Sequence, residues 1–547
     1  MHSQFHTSMP YSGRESTLMS SETFLPAGAR NQTEVFAVHG ADPEVLAYAM
    51  AKYSRSALSM RESLAEISAQ KAEQFLSTFY FAYGHRSIAD LAHVAMAVER
   101  LSLLAAIVLV DEQRWDGQER STRYQNFLKS GWYFPDFEAD TASAHLYAET
   151  VENLFATYQR TTAAVHEALL RRIPCPAEMK PEAYQRTLKA RAFDVARYLL
   201  PLATNTSLGQ IVNARTLETQ VSRLLSHPAA EVRDLGVKLR EAAAGPAWNL
   251  HGKAGAELVE KIAAVDGALV DEAEKLLTRE VRTAPTLVKY AEPNEYLMQT
   301  RAELERAAAE LLHGIAPAAA PLVDLVEQTE TLEVELAATL IYWASHHPYR
   351  QVRDVVAGLP GCQVSEIIEL GLRHRGKHDE ALRVFHAGAG LRFDILMDIG
   401  GFRDMHRHRR VTQIKQGFTA AHGYETPTNG DLAPDINLLA EAGVVGEYQS
   451  AIEAAHAAGA RIGAGTAPEA AISSLYLLPL ATRVRCLFKM DFAEAQYITE
   501  LRSGPAGHFS YRRVAWEMYL ALERQHPTLA KYFRVTDFTK PIDLLQR

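Results

Sequence analysis

The sequence predicts a helix-rich α+β chain of 547 residues, arranged as two tandem domains of similar plan with a small sheet in each. The first observation is an internal echo: RYLLPLATN at 197–205 returns as LYLLPLATR at 475–483, about half the chain later. The second is that each half opens with apolar residues recurring at three and four, in DPEVLAYAMAKYSRSALSM and in TLEVELAATLIYWASHH, the spacing of an amphipathic helix. The third is LRFDILMDI, which alternates. Leu391, Phe393, Ile395, Met397 and Ile399 share one face and Arg392, Asp394 and Asp398 the other, as in a half-buried strand. A hydrophobic content of 47% over this length allows more than one core, since single domains rarely exceed about 250–300 residues.

The elements follow in chain order. Residues 1–32 are Ser/Thr-rich and lack the basic start and apolar core of a secretory signal, so a flexible arm is expected there. The first domain is expected over 33–300. Within it LSLLAAIVLV, 101–110, reads as a buried helix or strand; it ends at Asp111, well short of the roughly 18 apolar residues that a membrane span requires. A linker is expected over 301–320, next to the Ala/Pro-rich HGIAPAAAPL at 313–322, and the second domain over 321–547. In that domain Gly400 and Gly401 are expected to break the alternating strand, with a helix starting on the residues that follow.

Composition narrows the function. A formal net charge of −9 argues against a protein that lives on nucleic acid, because such proteins need a basic excess to displace counterions. Three cysteines, Cys175, Cys362 and Cys486, are too few and too scattered for a disulfide framework or a CxxC metal site, and suit a reducing cytoplasm. There is no Walker A, HExxH or G-x-S-x-G motif. His374 and His378 stand four apart without an evident third ligand, so no metal site is expected.

Against this acidic balance, RDMHRHRRVTQ at 403–413 packs four arginines and two histidines into eight positions. On a helix, Arg403, Arg407 and Arg410 would form one cationic stripe. Three readings compete. One is a solvated basic face; another is a metal site at His406 and His408, which two-residue spacing disfavours; the third is a seat for a phosphorylated cofactor or nucleotide, which arginine's planar fork suits. A second stretch, DGQERSTRY at 116–124, brings a hydroxyl (Ser121), a guanidinium (Arg123) and an aromatic ring (Tyr124) within four residues. That set suits a phosphate and a base, although Asp-Gly ahead of Ser/Thr is ordinarily a turn.

Together these stretches resemble the flavin-dependent thymidylate synthases. That family carries an RHRxxSxNxxSxRY-type signature, a GHxS segment upstream, and an LPL element, NAR and a functional arginine downstream. The first half shows Gly84-His85-Arg86-Ser87, then Glu119-Arg120-Ser121-Thr122-Arg123-Tyr124, then Arg197 ahead of its LPL, then Asn213-Ala214-Arg215, but has Asp111-Glu112-Gln113 where the triplet belongs. The second half keeps Arg407-His408-Arg409, with Arg403 a turn earlier, and Arg502 as the downstream arginine. At the remaining positions it has Gly417-Phe418-Thr419-Ala420, Leu475 and Asp491-Phe492-Ala493, while the first half has Leu224 against Arg502. What one half lacks the other keeps. Because the family's enzymes are homotetramers with sites shared between subunits, the resemblance implies an internal pseudo-dimer with one composite and one decayed site, two such chains pairing into a pseudo-tetramer.

The implied activity is reductive methylation of dUMP to dTMP with methylenetetrahydrofolate, FAD and NADPH. By the resemblance, FAD falls to Arg407, His408, Arg409, His85, Ser87, Asn213 and Arg215. The nucleotide falls to Ser121, Arg123, Tyr124, Arg197, Glu119 and Arg403, and Arg502 is the catalytic arginine that favours the N3-deprotonated pyrimidine. Singly, His85 has the plainer reading of a cap or packed ring, Asn213 of a turn end, and Arg197 and Arg502 of ion-pair partners. Two alternatives stay open: a non-catalytic flavin or nucleotide-binding homologue, and a flavin and folate enzyme that methylates another uridine substrate.

Overall fold

The computed structural model describes residues 36, 38, 40–52, 60–66, 86–127, 129–138, 140–289, 291–376, 379, 381–386, 390–426, 437–465, 469–531 and 533–545. The expected N-terminal arm, His85 and His378 lie outside these residues. Residues Asp42–Arg547 form one compact unit, Met1–Ala41 a separate one.

Each half carries one antiparallel sheet of matching plan. In the first, β1 (His93–Ser102), β2 (Asp116–Glu119) and β3 (Asn205–Asn213) stand in the order β1-β3-β2. In the second, β4 (Val323–Leu325), β5 (Leu391–Asp398), β6 (Thr412–Lys415) and β7 (Arg483–Met490) stand in the order β4-β5-β7-β6. Leaving aside the edge strand β4, the second sheet repeats the first, and each central strand runs into a helix capped by the side chain at the junction. Asn213 accepts from the Thr216 amide at 2.8 Å and Asp491 from the Glu494 amide at 2.8 Å. The opening strands do likewise: Ser102 caps Leu103–Leu109 and Asp398 caps Ile399–Met405.

A second pairing repeats with its partners exchanged. The Ser102 hydroxyl donates to Glu231 at 2.6 Å, and in the other half the Ser510 hydroxyl donates to Asp398. Hydroxyl and carboxylate have traded sides while the buried bond between cap and neighbouring helix is kept.

The two LLPLAT segments are what joins the halves. Pro201 and Pro479 bridge, Leu202 N donates to Leu478 O at 2.9 Å and Leu480 N to Leu200 O at 3.0 Å. Ala203 N reaches Tyr476 O at 2.8 Å and Ala481 N reaches Tyr198 O at 3.1 Å. Each bond is returned by its counterpart, the signature of a two-fold relation. Leu199, Leu200 and Leu202 are buried with Leu477, Leu478 and Leu480 in one hydrophobic cluster, so the two domains share a core at this joint.

Three sequence expectations need correction. Residues 301–311 of the expected linker are helical, within Glu295–Leu311, because Tyr296, Thr300, Leu304 and Ala308 make a buried face; the irregular chain begins at residue 312, just before Gly314 at φ 73°. The strand β5 is buried on both faces. Asp394 accepts from Arg485 at 2.8 Å, Tyr342 at 3.0 Å and the Tyr349 amide at 2.8 Å, and Arg392 pairs with Glu330, so the polar face meets partners where solvent was expected. Finally, Gly400 and Gly401 begin a helix: a Cβ on Gly401 would lie 2.6 Å from Ser510 Oγ, and one on Gly400 3.4 Å from Arg197 Nη2. Bare backbone is needed at Gly401 for this close approach. The helix therefore ends at Met405, His406 is its C-cap, and residues 407–410 are turn. The stripe of Arg403, Arg407 and Arg410 does not form.

Among the other expectations, LSLLAAIVLV closes β1 and forms the buried helix Leu103–Leu109. Pro43–Lys52 and Leu332–Trp343 are helices as their periodicity predicts. No helix among the described residues is long and apolar enough to cross a membrane.

Candidate functional site

Where the helix end and turn of 403–410 leave the second sheet, they face β2 and the following turn of the first half. Arg403 pairs with Glu119, and Arg407 Nη2 donates to Gln118 Oε1 at 2.8 Å. Arg409 donates to Val110 O at 2.8 Å and lies 4.6 Å over the Trp115 ring. Arg410 turns away to Asp491 at 3.7 Å and is largely solvated. The knot therefore divides: three of its arginines cross to the first half and one stays behind.

Arg123 and Arg197 approach from the first half, both buried. Arg123 donates to Asp194 at 2.7 Å through Nε and 3.3 Å through Nη2, to Tyr511 Oη at 2.9 Å and to Ala506 O at 3.1 Å. Burial works against its charge, but the Asp194 carboxylate outweighs it and holds the guanidinium firmly protonated. Arg197 reaches Asp404 Oδ2 at 3.3 Å and Thr122 Oγ1 at 3.5 Å. Ser121 Oγ accepts from the Arg123 amide at 3.2 Å, and Tyr124 is exposed beside that guanidinium.

Arg502, at the end of helix Phe492–Ser503, donates from Nε to His408 Nε2 at 2.7 Å and lies 5.5 Å over the Tyr511 ring. A guanidinium only donates, so Nε2 of His408 accepts and a neutral His408 carries its proton on Nδ1, which faces Glu494 at 3.6 Å. Burial, then Arg502, Arg407 and Arg409, depress His408 to about 3. Burial, with Arg407 and Arg383 nearby, also lowers Arg409 to about 10. Among the described residues Arg407, Arg409 and Arg502 have no carboxylate within 4.0 Å. The result is a cluster of three guanidiniums around a neutral imidazole, none in a direct ion pair among the described residues and only Arg409 within the field of Asp111 and Asp116, which favours an anion.

The remaining sequence-predicted residues lie along the first sheet. Asn213 is the helix cap described above, and Arg215 pairs with Asp90 at 3.4 Å on the short helix Arg86–Leu91 that carries Ser87. Asp90 also receives Arg114 at 3.2 Å, and Trp115, next in the chain, carries Arg409. This makes a strip from the guanidinium cluster to Arg215. Sequence reasoning missed Gln118 and Asp404, although both sit inside the quoted stretches. It also missed Asp194, Trp115 and Tyr511, for which local sequence held no signal.

The triplet's counterpart in the first half is already engaged, by residues of both halves. Asp111 pairs with Arg383, Glu112 with Arg223 at 2.9 Å through Nε, and Gln113 meets His386 Nδ1 at 3.5 Å.

A family model described as thymidylate synthase complementing protein matches residues 36–245 and again 325–528. A UPF0159 protein of Chlamydia muridarum is 27% identical over 533 residues, covering 91% of this chain and 91% of its own. UPF0159 protein Ta1429 of Thermoplasma acidophilum is 23% identical over 531 residues, covering 89% and 94%. A flavin-dependent thymidylate synthase of Clostridium tetani is 24% identical over 177 residues, 32% of this chain and 67% of its own. The crystal structure of flavin dependent thymidylate synthase ThyX from Helicobacter pylori, complexed with FAD and dUMP, aligns with 37% of this chain and 89% of its own at 18% identity and a TM-score of 0.25. With the family model matched twice, over regions that meet at the LLPLAT joint, the chain belongs to the thymidylate synthase complementing protein family as a tandem duplication of its domain.

Proposed function

We propose that this chain is a flavin-dependent thymidylate synthase-like enzyme that methylates dUMP at one composite site, built from Glu119, Ser121, Arg123, Tyr124 and Arg197 of the first domain (33–300) and Arg403, Arg407, His408, Arg409 and Arg502 of the second (321–547). The observation that carries it is the convergence of Arg403 and Arg407 on Glu119 and Gln118, which joins the two incomplete signatures across the joint. The cluster of Arg407, Arg409 and Arg502 fits an anionic cofactor such as FAD, and the strip through Trp115 and Asp90 to Arg215 suits one of dinucleotide length. His85, Ser87 and Asn213 complete the proposed FAD set. When bound, FAD supplies the hydride chemistry, with NADPH and methylenetetrahydrofolate as co-substrates.

In this reading Arg407 and Arg409 hold cofactor charge, and neutral His408 fixes Arg502 through its Nε. Arg502 then favours the N3-deprotonated pyrimidine, because a guanidinium at hydrogen-bond range stabilises the anionic form. Ser121, Arg197 and the remaining Nη1 proton of Arg123 hold the phosphate, and Asp404 and Asp194 orient the two arginines. We place the protein in the cytoplasm and expect two copies to assemble as a pseudo-tetramer.

A second reading has its own support: Arg123 and Arg197 are already engaged by Asp194, Tyr511 and Asp404, as in a homologue that binds flavin without turning over dUMP. The visible spectrum of the purified protein, with released flavin counted per chain, tests the first part. One FAD per chain, lost in Arg407→Ala and Arg409→Ala, supports the composite site; two, or none with excess FAD, overturns it. Flavin oxidation that depends on dUMP and is lost in Ser121→Ala then separates enzyme from binder, and a response to another uridine nucleotide alone would replace the acceptor.

A further inference from the structure

The two-fold relation of the LLPLAT segments creates a second interface position, and the sheet registers identify its residues. Glu119 pairs with Leu208 on β3, and Lys415 pairs with Cys486 on β7; each ends its edge strand three rungs beyond the start of the central one. Lys415 therefore stands where Glu119 stands, Gly417 where Ser121 stands, and Thr419 where Arg123 stands. The facing acids are occupied, Asp111 by Arg383 and Glu112 by Arg223.

What surrounds Gly417 is basic. A Cβ built on it would lie 3.7 Å from the His346 ring edge and 4.0 Å from Arg301 Nη2. Arg301 stacks 4.5 Å over Trp343 and is paired with Glu305, four residues on in the same helix, an exposed pair worth little. Lys415 lies 4.2 Å over the Phe418 ring and has no carboxylate within 4.0 Å among the described residues. His422 stands 5.7 Å from His346, and its buried Nε2 finds no hydrogen-bond partner among the described residues.

We propose that this second position binds a phosphate-sized dianion through Lys415, Arg301, His346 and His422. A point-charge ammonium, a guanidinium fork and two imidazole donors around a bare glycine match the three acceptor oxygens of a phosphate group, free or esterified. The mutual strain among these cations agrees. Burial lowers Lys415 to about 8, with the Asp111 carboxylate opposing the shift and Arg301 adding to it; partial desolvation of the ring, with His347 and Arg301 and against Glu305, lowers His346; and burial, with Arg223, Lys415 and Arg301, lowers His227 to about 3. A bound anion offsets the part of these shifts that comes from the neighbouring cations, and leaves the part that comes from burial. The inference is independent of the flavin reading, since it shares no residue with the first site.

Acetylation of Lys415 in the full chain, followed by peptide mass spectrometry, tests it with two probes, inorganic phosphate and ribose 5-phosphate. At about ten times its dissociation constant a bound probe slows labelling by about tenfold, and the probe that protects at lower concentration identifies a free or an esterified source. Protection is expected to vanish in Arg301→Gln and His346→Ala, whose side chains are partly or fully exposed, and to persist in Arg407→Ala. An unchanged rate with both probes, equal protection by chloride at matched ionic strength, or protection that survives Arg301→Gln overturns the proposal.

Discussion

Arg123 and Arg407 show how differently two arginines of one site are employed. Arg123 is buried against Asp194, so Arg123→Ala removes the shorter of two ion pairs from a buried carboxylate that otherwise has Arg191 at 4.0 Å, and is expected to lower unfolding stability by about 3 kcal/mol in urea titrations. Arg407 is exposed and, among the described residues, hydrogen-bonds to Gln118, so Arg407→Ala should change stability by no more than about 0.5 kcal/mol while abolishing flavin retention. The histidines carry a pH signature. His408 at about 3, His406 at about 4 and His422 at about 4 all stand below the ordinary 6.5, chiefly through burial. The unfolded chain takes up these protons first, so stability falls as pH drops from 6.5 toward 4, where the native rings still resist protonation. Urea unfolding across that window should show the slope, and His408→Gln should flatten it. A pH-independent midpoint would contradict the burial of these rings.

The elements follow sequence where their causes are local. The periodic runs at 43–52 and 332–343 are helices, the second buried nearly all round, and β5 is a strand as its alternating sequence predicts, although both of its faces are buried. The start of the helix before the arginine knot was not legible, because Asp398 caps it and two glycines admit Ser510 and Arg197, residues distant in the chain. Asn213 belongs to both levels, as a helix cap and as a proposed cofactor residue. Asn213→Asp keeps the capping oxygen and adds a negative charge. Its melting temperature should match the parent while bound FAD declines; unchanged FAD content would leave Asn213 a cap alone. At the joint, Ala203→Pro removes the donor to Tyr476 O and should destabilise the whole chain by about 3 kcal/mol, read from the urea midpoint.

At the scale of the molecule, the halves behave as each other's partner. The LLPLAT faces are buried against one another, so residues 1–312 and 313–547 produced separately should aggregate, and co-expressed should copurify with bound flavin. Soluble, monomeric halves would contradict a shared core. The duplication, the helix periods, the apolar strands and the inventory of arginines were legible in the sequence by itself, because repetition and periodicity are properties of neighbouring residues. Which carboxylate meets which arginine was decided only by the tertiary structure. Glu119 with Arg403, Asp404 with Arg197 and Tyr511 between Arg123 and Arg502 are contacts between halves, set by the reciprocal LLPLAT pairing. Hydrogen bonds and ion pairs act over a few ångströms, and only folding brings residues hundreds of positions apart to that range.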